Sequence, residues 1–364
     1  MAAKLRVGVI GANLQGSWGT FAHLPALAAL DGFEVVAVAT SHLESAQATA
    51  GHYGIAHAFD DPRALAEHPD VDIVAICVRV PAHRELVQIA LAAGKHVYCE
   101  WPLGRDTAEA IELSEAAEKA GVVHMIGLQS RSSPVLTHAR DLIAAGEIGT
   151  VRSVSLNHSV DWISKPYPSM TYLQDRSSGA HFLSIPGGHS IDAVCWMLGG
   201  FESLSALVKT ALSEVEVVGT GDKVQRTSAD QIIVGGELQG GIAASIRLSG
   251  ASSPGTGLRL EINGDKGDLV IVQKPGGRGI QMTDLTLYRT TGMAELGEIE
   301  IPEHYFHTPA SARHCPPLNV AEAYVRMGEA IAGGTKASPN FSDAVDLHRL
   351  LDRIEDASRT GQRL

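Results

Sequence analysis

The sequence predicts an α/β protein in two parts: an N-terminal doubly wound parallel sheet, then an α+β half built on a large, mostly antiparallel open sheet. Three observations predict it. The chain has 364 residues, too many for one ordinary core. Over its first third, short branched apolar runs alternate with helical patterns, as parallel βαβ units require. From Val151 onward, apolar and polar residues alternate between Gly, Ser and Pro turns, as in antiparallel strands.

In order, LRVGVI (5–10) reads as a strand buried on both faces and stopped by Gly11. Apolar residues at helical spacing over 14–30 predict a helix, FEVVAVAT (33–40) a strand, and the Ala- and Gln-rich stretch after it a helix. VDIVAICV (71–78) is the next strand, followed by a helix over 82–93, the strand HVYCE, a helix over 106–120 and the strand VVHMIGL. Beyond these, VRSVSLNHSV, QIIVGGEL, GIAASIRL, LRLEING and LVIV read as strands, with Asn263-Gly264 marking a turn. The dinucleotide-type domain is expected over 1–127. A substrate-binding and oligomerisation domain is expected over 128–364, its terminal helices packing back.

Composition excludes several functions. With 45 % hydrophobic and 19 % charged residues and no apolar run of membrane length, the chain reads as soluble and, having no signal-like start, cytoplasmic. A formal charge of −12 disfavours nucleic acid and anionic membranes as partners. Cys77, Cys99, Cys195 and Cys315 are widely spaced without a CxxC, so buried free thiols are expected, with no metal site. A long sheet with one uncovered apolar face predicts self-association as a homodimer or homotetramer.

Gly11-Ala-Asn13-Leu14-Gln-Gly16 sits at the first strand-to-helix turn, where G-x-G-x-x-G cradles a pyrophosphate against a helix N-terminus. Its middle glycine is Asn13, a residue that tolerates left-handed backbone. This is the position of a Rossmann cofactor turn. At the end of the second strand stands Thr40-Ser41-His42 instead of the acid that holds a ribose 2′-hydroxyl, which favours NADP over NAD.

Several stretches together resemble the Gfo/Idh/MocA family, which includes glucose–fructose oxidoreductase and inositol dehydrogenase. They are VPAHRELVQIALAAGKHVYCEWPLG, LQSRSSPVLTHARDLIAAGEIGTVRSV, GGHSIDAVCWMLGG, GLRLEINGDKGDLVI, NVAEAYVRMGEAI and FSDAVDLHRLLDRIEDASRTGQ. The resemblance implies an NAD(P)-dependent oxidoreductase acting on a sugar or polyol by hydride transfer. It also implies a catalytic lysine in E-K-P and an aspartate four residues before a histidine; here those positions hold Trp101 and Ile185, and only His189 persists. The glycine turn without its middle Gly, the E-W-P string and GHSID are similar to a branch containing a fungal galactose-pathway repressor. That branch implies the alternative of a non-catalytic dinucleotide-binding regulator or sensor.

His189 is the expected proton acceptor, with Asp192 one turn on along the same helix face. Lys165 could reach the place left by the missing lysine. Pro81, His83, Glu100, Trp101, Pro102 and Gln129 are expected to border the cofactor, His83 also as a helix cap and Glu100 alternatively as a buried structural carboxylate. Trp101 offers an indole face for a sugar ring or nicotinamide, or fills volume beside Pro102. Arg131 is expected to bridge the domains. The segment 158–176 pairs aromatic rings with carboxylates, as polyol recognition needs; Asp161, Trp162, Lys165, Tyr167 and Asp175 are its candidate contacts.

Overall fold

The computed structural model describes residues 3–250, 257–273, 278–292 and 294–364. Six parallel strands form the first sheet: β1 (Leu5–Ile10), β2 (Phe33–Ala39), β3 (His57–Phe59), β4 (Ile73–Ile76), β5 (His96–Glu100) and β6 (His124–Gly127). Their order is β3-β2-β1-β4-β5-β6, and the reversal of direction between β1 and β4 makes the topological switch point of a doubly wound sheet. Helices α1 (Leu24–Ala28), α2 (Leu43–Tyr53), α3 (Pro62–Glu67), α4 (His83–Ala92) and α5 (Thr107–Ala120) connect them. Local chemistry sets their ends. Asp61 and Asp106 accept backbone N–H bonds from Arg63 and Glu109 as N-caps, and Gly54 and Gly121 close α2 and α5 in the left-handed region.

The helix expected over 14–30 is much shorter. A π-helical turn over Gly19–His23 leads into α1, and Pro25, which has no N–H to donate, falls where the two meet. The strand β3 and helix α3 went unforeseen because each is too short to show a period.

The second sheet takes its strands from β7 (Val151–Ser159), β8 (Phe201–Lys209), β11 (Gln231–Leu238), β12 (Ile242–Ser249), β13 (Leu258–Gly264), β14 (Asp268–Gln273), β15 (Leu285–Arg289) and β16 (Gly297–Glu298). A separate hairpin is made by β9 (Glu214–Glu216) and β10 (Lys223–Gln225). The order β16-β15-β14-β13-β7-β12-β11-β8 is antiparallel except at β7–β12. Two helices belong with it, α6 (Pro134–Ala144) and α7 (Gly188–Leu198). The solvent face of this sheet is not the apolar one expected. Its outward positions on β7 and β12 include Arg152, Asn157, Ala243, Ser245 and Arg247, with large apolar exposure at the cross-strand pair Ile233 and Leu207, 47 % and 49 % exposed. That removes the apolar-patch argument for self-association.

Two helices complete the chain, α8 (Pro317–Gly333) and α9 (Phe341–Thr360). The chain divides into two compact units, 1–129 with 307–348, and 130–306 with 349–364. The stretch 307–348, placed by sequence with the second domain, thus groups with the first. The physical reason is apolar: Val320, Tyr324 and Met327 of α8 share one buried cluster with Val7, Val9, Leu27, Phe33 and Tyr98. Among the described residues, no helix is long and apolar enough to cross a membrane.

Candidate functional site

In the first unit the glycine turn leaves β1 beside the switch point. Gly11 N–H donates to Ala39 O at 2.8 Å, and the residue takes φ +97° where a Cβ would lie 2.5 Å from Cys77 O. Only glycine fits there. Gly16 also has φ +97°, but a Cβ on it would meet nothing within 4 Å, so the turn opens onto free space. Asn13 does not use left-handed backbone, since among the described residues positive φ is confined to glycine. It shapes the turn by hydrogen bonds: its Oδ1 accepts from Gln15 N–H at 3.1 Å and its carbonyl from Thr20 Oγ1 at 2.8 Å. Leu14 is exposed at the tip. The close helix–strand approach falls to Gly19, where a Cβ would sit 2.9 Å from Ala12 Cα. Sequence reading missed it because it lies three residues past the expected pattern.

At the end of β2, Thr40 Oγ1 contacts Ser45 Oγ at 2.5 Å and donates to His42 O at 2.9 Å, closing the turn before α2. Ser41 and His42 are exposed, and neither neighbour supplies a carboxylate. After β4, Pro81 is exposed while His83 is buried. His83 is not a cap. Its ring sits between Pro102 O at 2.8 Å and Val78 O at 3.0 Å, tying two turns together. Burial lowers its pKa, against the two carbonyl contacts, which raise it.

Glu100 ends β5 inside a chain of side chains. Its carboxylate accepts from His23 Nε2 at 2.8 Å and from Gln129 Nε2 at 2.8 and 2.7 Å, and His23 Nδ1 meets Tyr324 OH at 2.8 Å. Room for it comes from Gly127 across the β5–β6 ladder, where a Cβ would fall 2.7 Å from Glu100 Oε2. His23, Tyr324 and Gly127 carried no sequence signal, being brought to Glu100 only by tertiary packing: Gly127 by the β5–β6 pairing, His23 by the π-helical turn and Tyr324 by α8. Gln129 Oε1 is buried without a partner. Trp101 is only 4 % exposed, and its indole packs on the His348 imidazole with centroids 4.7 Å apart. The open stacking face is therefore absent: the ring fills the volume beside Pro102, because α9 covers it.

In the second unit, a π-helical turn over Leu183–Gly187 precedes α7, and Ile185 lies in that turn. His189 is 3 % exposed, its Nδ1 buried without a partner, and burial brings its pKa down to about 3. Beside it in sequence, Ser190 Oγ meets His158 Nδ1 at 3.0 Å; burial lowers His158 to about 4. Asp192 is not a free contact: Arg131 grips it through Nε at 3.2 and 3.0 Å and Nη2 at 2.6 Å. Arg131 and Asp192 both belong to the second unit, so this pair ties the segment before α6 to α7.

The segment 158–176 is held from below by a buried pair that sequence reading missed. Arg226 donates through Nε to Gln174 Oε1 at 2.7 Å, through Nη1 to Asp230 Oδ2 at 3.0 Å, and through Nη2 to Ile163 O. Asp230 in turn accepts from the Ala211 and Leu212 amides at 2.9 and 2.8 Å. Above this anchor Asp161, Lys165 and Tyr167 are exposed, and Trp162 keeps a buried Nε1 without a partner. Asp175 serves its own turn: bonds from Ser177 N–H and Oγ hold its carboxyl below the usual range.

Two stretches of the chain match known families. Residues 5–128 match the oxidoreductase family with an NAD-binding Rossmann fold, and 134–273 match the C-terminal domain of Gal80p. The first of these is the Gfo/Idh/MocA family, which the N-terminal third of the chain matches. It is similar to levoglucosan dehydrogenase of Pseudarthrobacter phenanthrenivorans, 25 % identical with 98 % of this chain and 96 % of that protein covered. The dehydrogenase aclE of Aspergillus oryzae is 32 % identical over 57 % of this chain and 58 % of its own length. The galactose/lactose metabolism regulatory protein GAL80 of Kluyveromyces lactis is 28 % identical over 78 % of this chain and 66 % of its own. The match thus spans less than two-thirds of those last two relatives. Among solved structures, a super-repressor mutant of Gal80p from Saccharomyces cerevisiae superposes with TM-score 0.87 at 24 % identity, covering 100 % of this chain and 98 % of that one, a shared fold.

Proposed function

We propose that this protein is an NAD(P)-dependent oxidoreductase of the Gfo/Idh/MocA family that moves hydride between a sugar or polyol carbinol and the nicotinamide. The observation that carries the reading is the glycine turn at the switch point, whose Gly16 faces open space. The residues fit a dinucleotide: the turn from Gly11 through Asn13 and Leu14 to Gly16 suits a pyrophosphate, and Thr40, Ser41 and His42 suit a ribose or its 2′-phosphate. Gln129 Oε1 fits a carboxamide donor, being buried and unsatisfied while its amide nitrogen is fixed on Glu100. The bound cofactor supplies the hydride acceptor. His189 is the candidate proton acceptor: it is neutral at working pH and its buried Nδ1 has no partner, while burial, which brings its pKa down to about 3, makes it a weak base until a substrate or cofactor alters its surroundings. Lys165, Tyr167 and Asp161 are the exposed contacts for substrate hydroxyls and C–H faces.

A second reading has its own support. Trp101 and Ile185 remove two of the expected catalytic groups, and residues 134–273 match the Gal80p C-terminal domain, so a dinucleotide-binding regulator is the alternative. One experiment separates them. Calorimetric titration with NAD and NADP establishes the cofactor, and turnover is then assayed on a panel of sugars, polyols and anhydrosugars. The oxidoreductase predicts turnover that falls by about two to four orders of magnitude in His189→Ala, with dinucleotide affinity kept. Loss in Lys165→Ala instead assigns the role to the loop. Binding without any turnover supports the regulator.

A further inference from the structure

Among the described residues, one group of three metal-competent side chains stands apart from the site above: His57, His68 and Asp70, whose ligand atoms all lie within 4.8 Å of one another. His57 opens β3, His68 follows α3, and Asp70 precedes β4. All three sit at the starts of parallel strands, the opposite edge from the glycine turn, which leaves the end of β1. The two imidazoles have centroids 4.1 Å apart with planes tilted by 42°, and Asp70 Oδ2 lies 3.7 Å from His57 Nε2 and 4.0 Å from His68 Nδ1. A tetrahedron with metal bonds of about 2.0–2.2 Å has edges of roughly 3.3–3.6 Å, so the ligand atoms, within 4.8 Å of one another, need rotamer adjustments of up to about an ångström to close on an ion.

Two further features favour a cation. Asp70 Oδ1 is held by Arg6 Nη1 at 2.8 Å, which turns Oδ2 toward the imidazoles as an outer-shell partner does. Arg6 is itself matched by Asp72 at 3.0 and 2.9 Å, so its charge is spoken for and Asp70 leaves the cluster net negative. His68 Nδ1 accepts the Asp70 amide at 3.2 Å, which marks it as the unprotonated nitrogen; coordination trades that long bond for a metal bond. We propose that His57, His68 and Asp70 form a site for a divalent transition metal of the zinc, cobalt or nickel class, water completing the shell. Two imidazoles and one carboxylate select these ions over magnesium and calcium, which take all-oxygen shells. The bound ion would fasten the three-residue edge strand β3 to the lead-in of β4.

The test uses the full chain stripped with chelator and then dialysed. Titration with zinc, nickel and magnesium chlorides by calorimetry, with melting followed in parallel, should give one zinc or nickel per chain, a raised melting temperature, and no magnesium response. His57→Gln and His68→Gln should each weaken binding at least tenfold, with circular dichroism confirming that the partly exposed positions leave the fold intact. Dinucleotide affinity should be unchanged in both. Zinc binding that is equally tight in both variants, or no zinc binding by the wild-type chain, overturns the proposal.

Discussion

Trp101 has become a packing residue, and restoring the family's lysine should not restore its chemistry. Trp101→Lys would place an ammonium against His348, in a space α9 has closed, and remove a large buried ring. We expect a loss of roughly 3–5 kcal/mol of stability and no gain in turnover, read from denaturant unfolding beside an activity assay. Gly127 is the mirror case. Gly127→Ala would push Glu100 from His23 and Gln129, and should lower stability by about 1–3 kcal/mol. The first substitution could be named from the sequence, because a known string carried one changed letter. The second could not, since a βαβ reading puts β5 and β6 in one sheet without saying that Gly127 falls opposite Glu100.

At the scale of elements, the segment 158–176 is a platform rather than a floppy loop, because Arg226 reaches Gln174, Ile163 and Asp230 beneath it. Arg226→Ala strands the Asp230 carboxylate and should cost about 3–5 kcal/mol in denaturant unfolding. Replacing Arg226 and Asp230 together by Met and Leu should cost less than the single change, and a cost as large as the sum of the two single changes would show that the pair acts as no unit. The strands β7, β11, β12 and β13 were legible by alternation, since burial of one face writes itself into period two, and β14 as a short apolar run, with Leu269, Val270 and Ile271 all buried. β8 was not: in FESLSALVK only Phe201 and Leu204 are buried, three apart, which fits neither period cleanly. The glycine turn was legible as a turn, and the work of Gly19 and the Asn13 hydrogen bonds was not, because both show only in the backbone path between β1 and the π-helical turn.

For the molecule as a whole, buried neutral histidines predict acid sensitivity. His158 and His348 titrate at about 4 and His189 at about 3, each lowered by burial. In the unfolded chain a histidine takes its proton near pH 6.5, so between that value and about 4 the unfolded state binds more protons and stability falls as pH falls. Each ring contributes on the order of 3 kcal/mol of this loss. Melting temperature should therefore be flat from pH 7 to 8 and decline steadily from about pH 6.5 to 4, more gently in His158→Gln. The two-domain class was legible from length and pattern. That the closing helices pack back was expected as well, but not that 307–348 group with the first unit, because an amphipathic helix declares that it has a buried face without declaring which surface covers it.

That return sets an order of assembly. A ribosome making this chain finishes the six parallel strands long before it makes Tyr324, the residue that bonds His23 and packs on Phe33 and Tyr98. Until residue 348 emerges the first unit lacks part of its core, while most of the second, from 130 to 306, is already out. The half begun first must thus wait for a segment made after most of the other half, and a fragment ending at residue 129 should remain molten, binding hydrophobic dye and giving no cooperative melt.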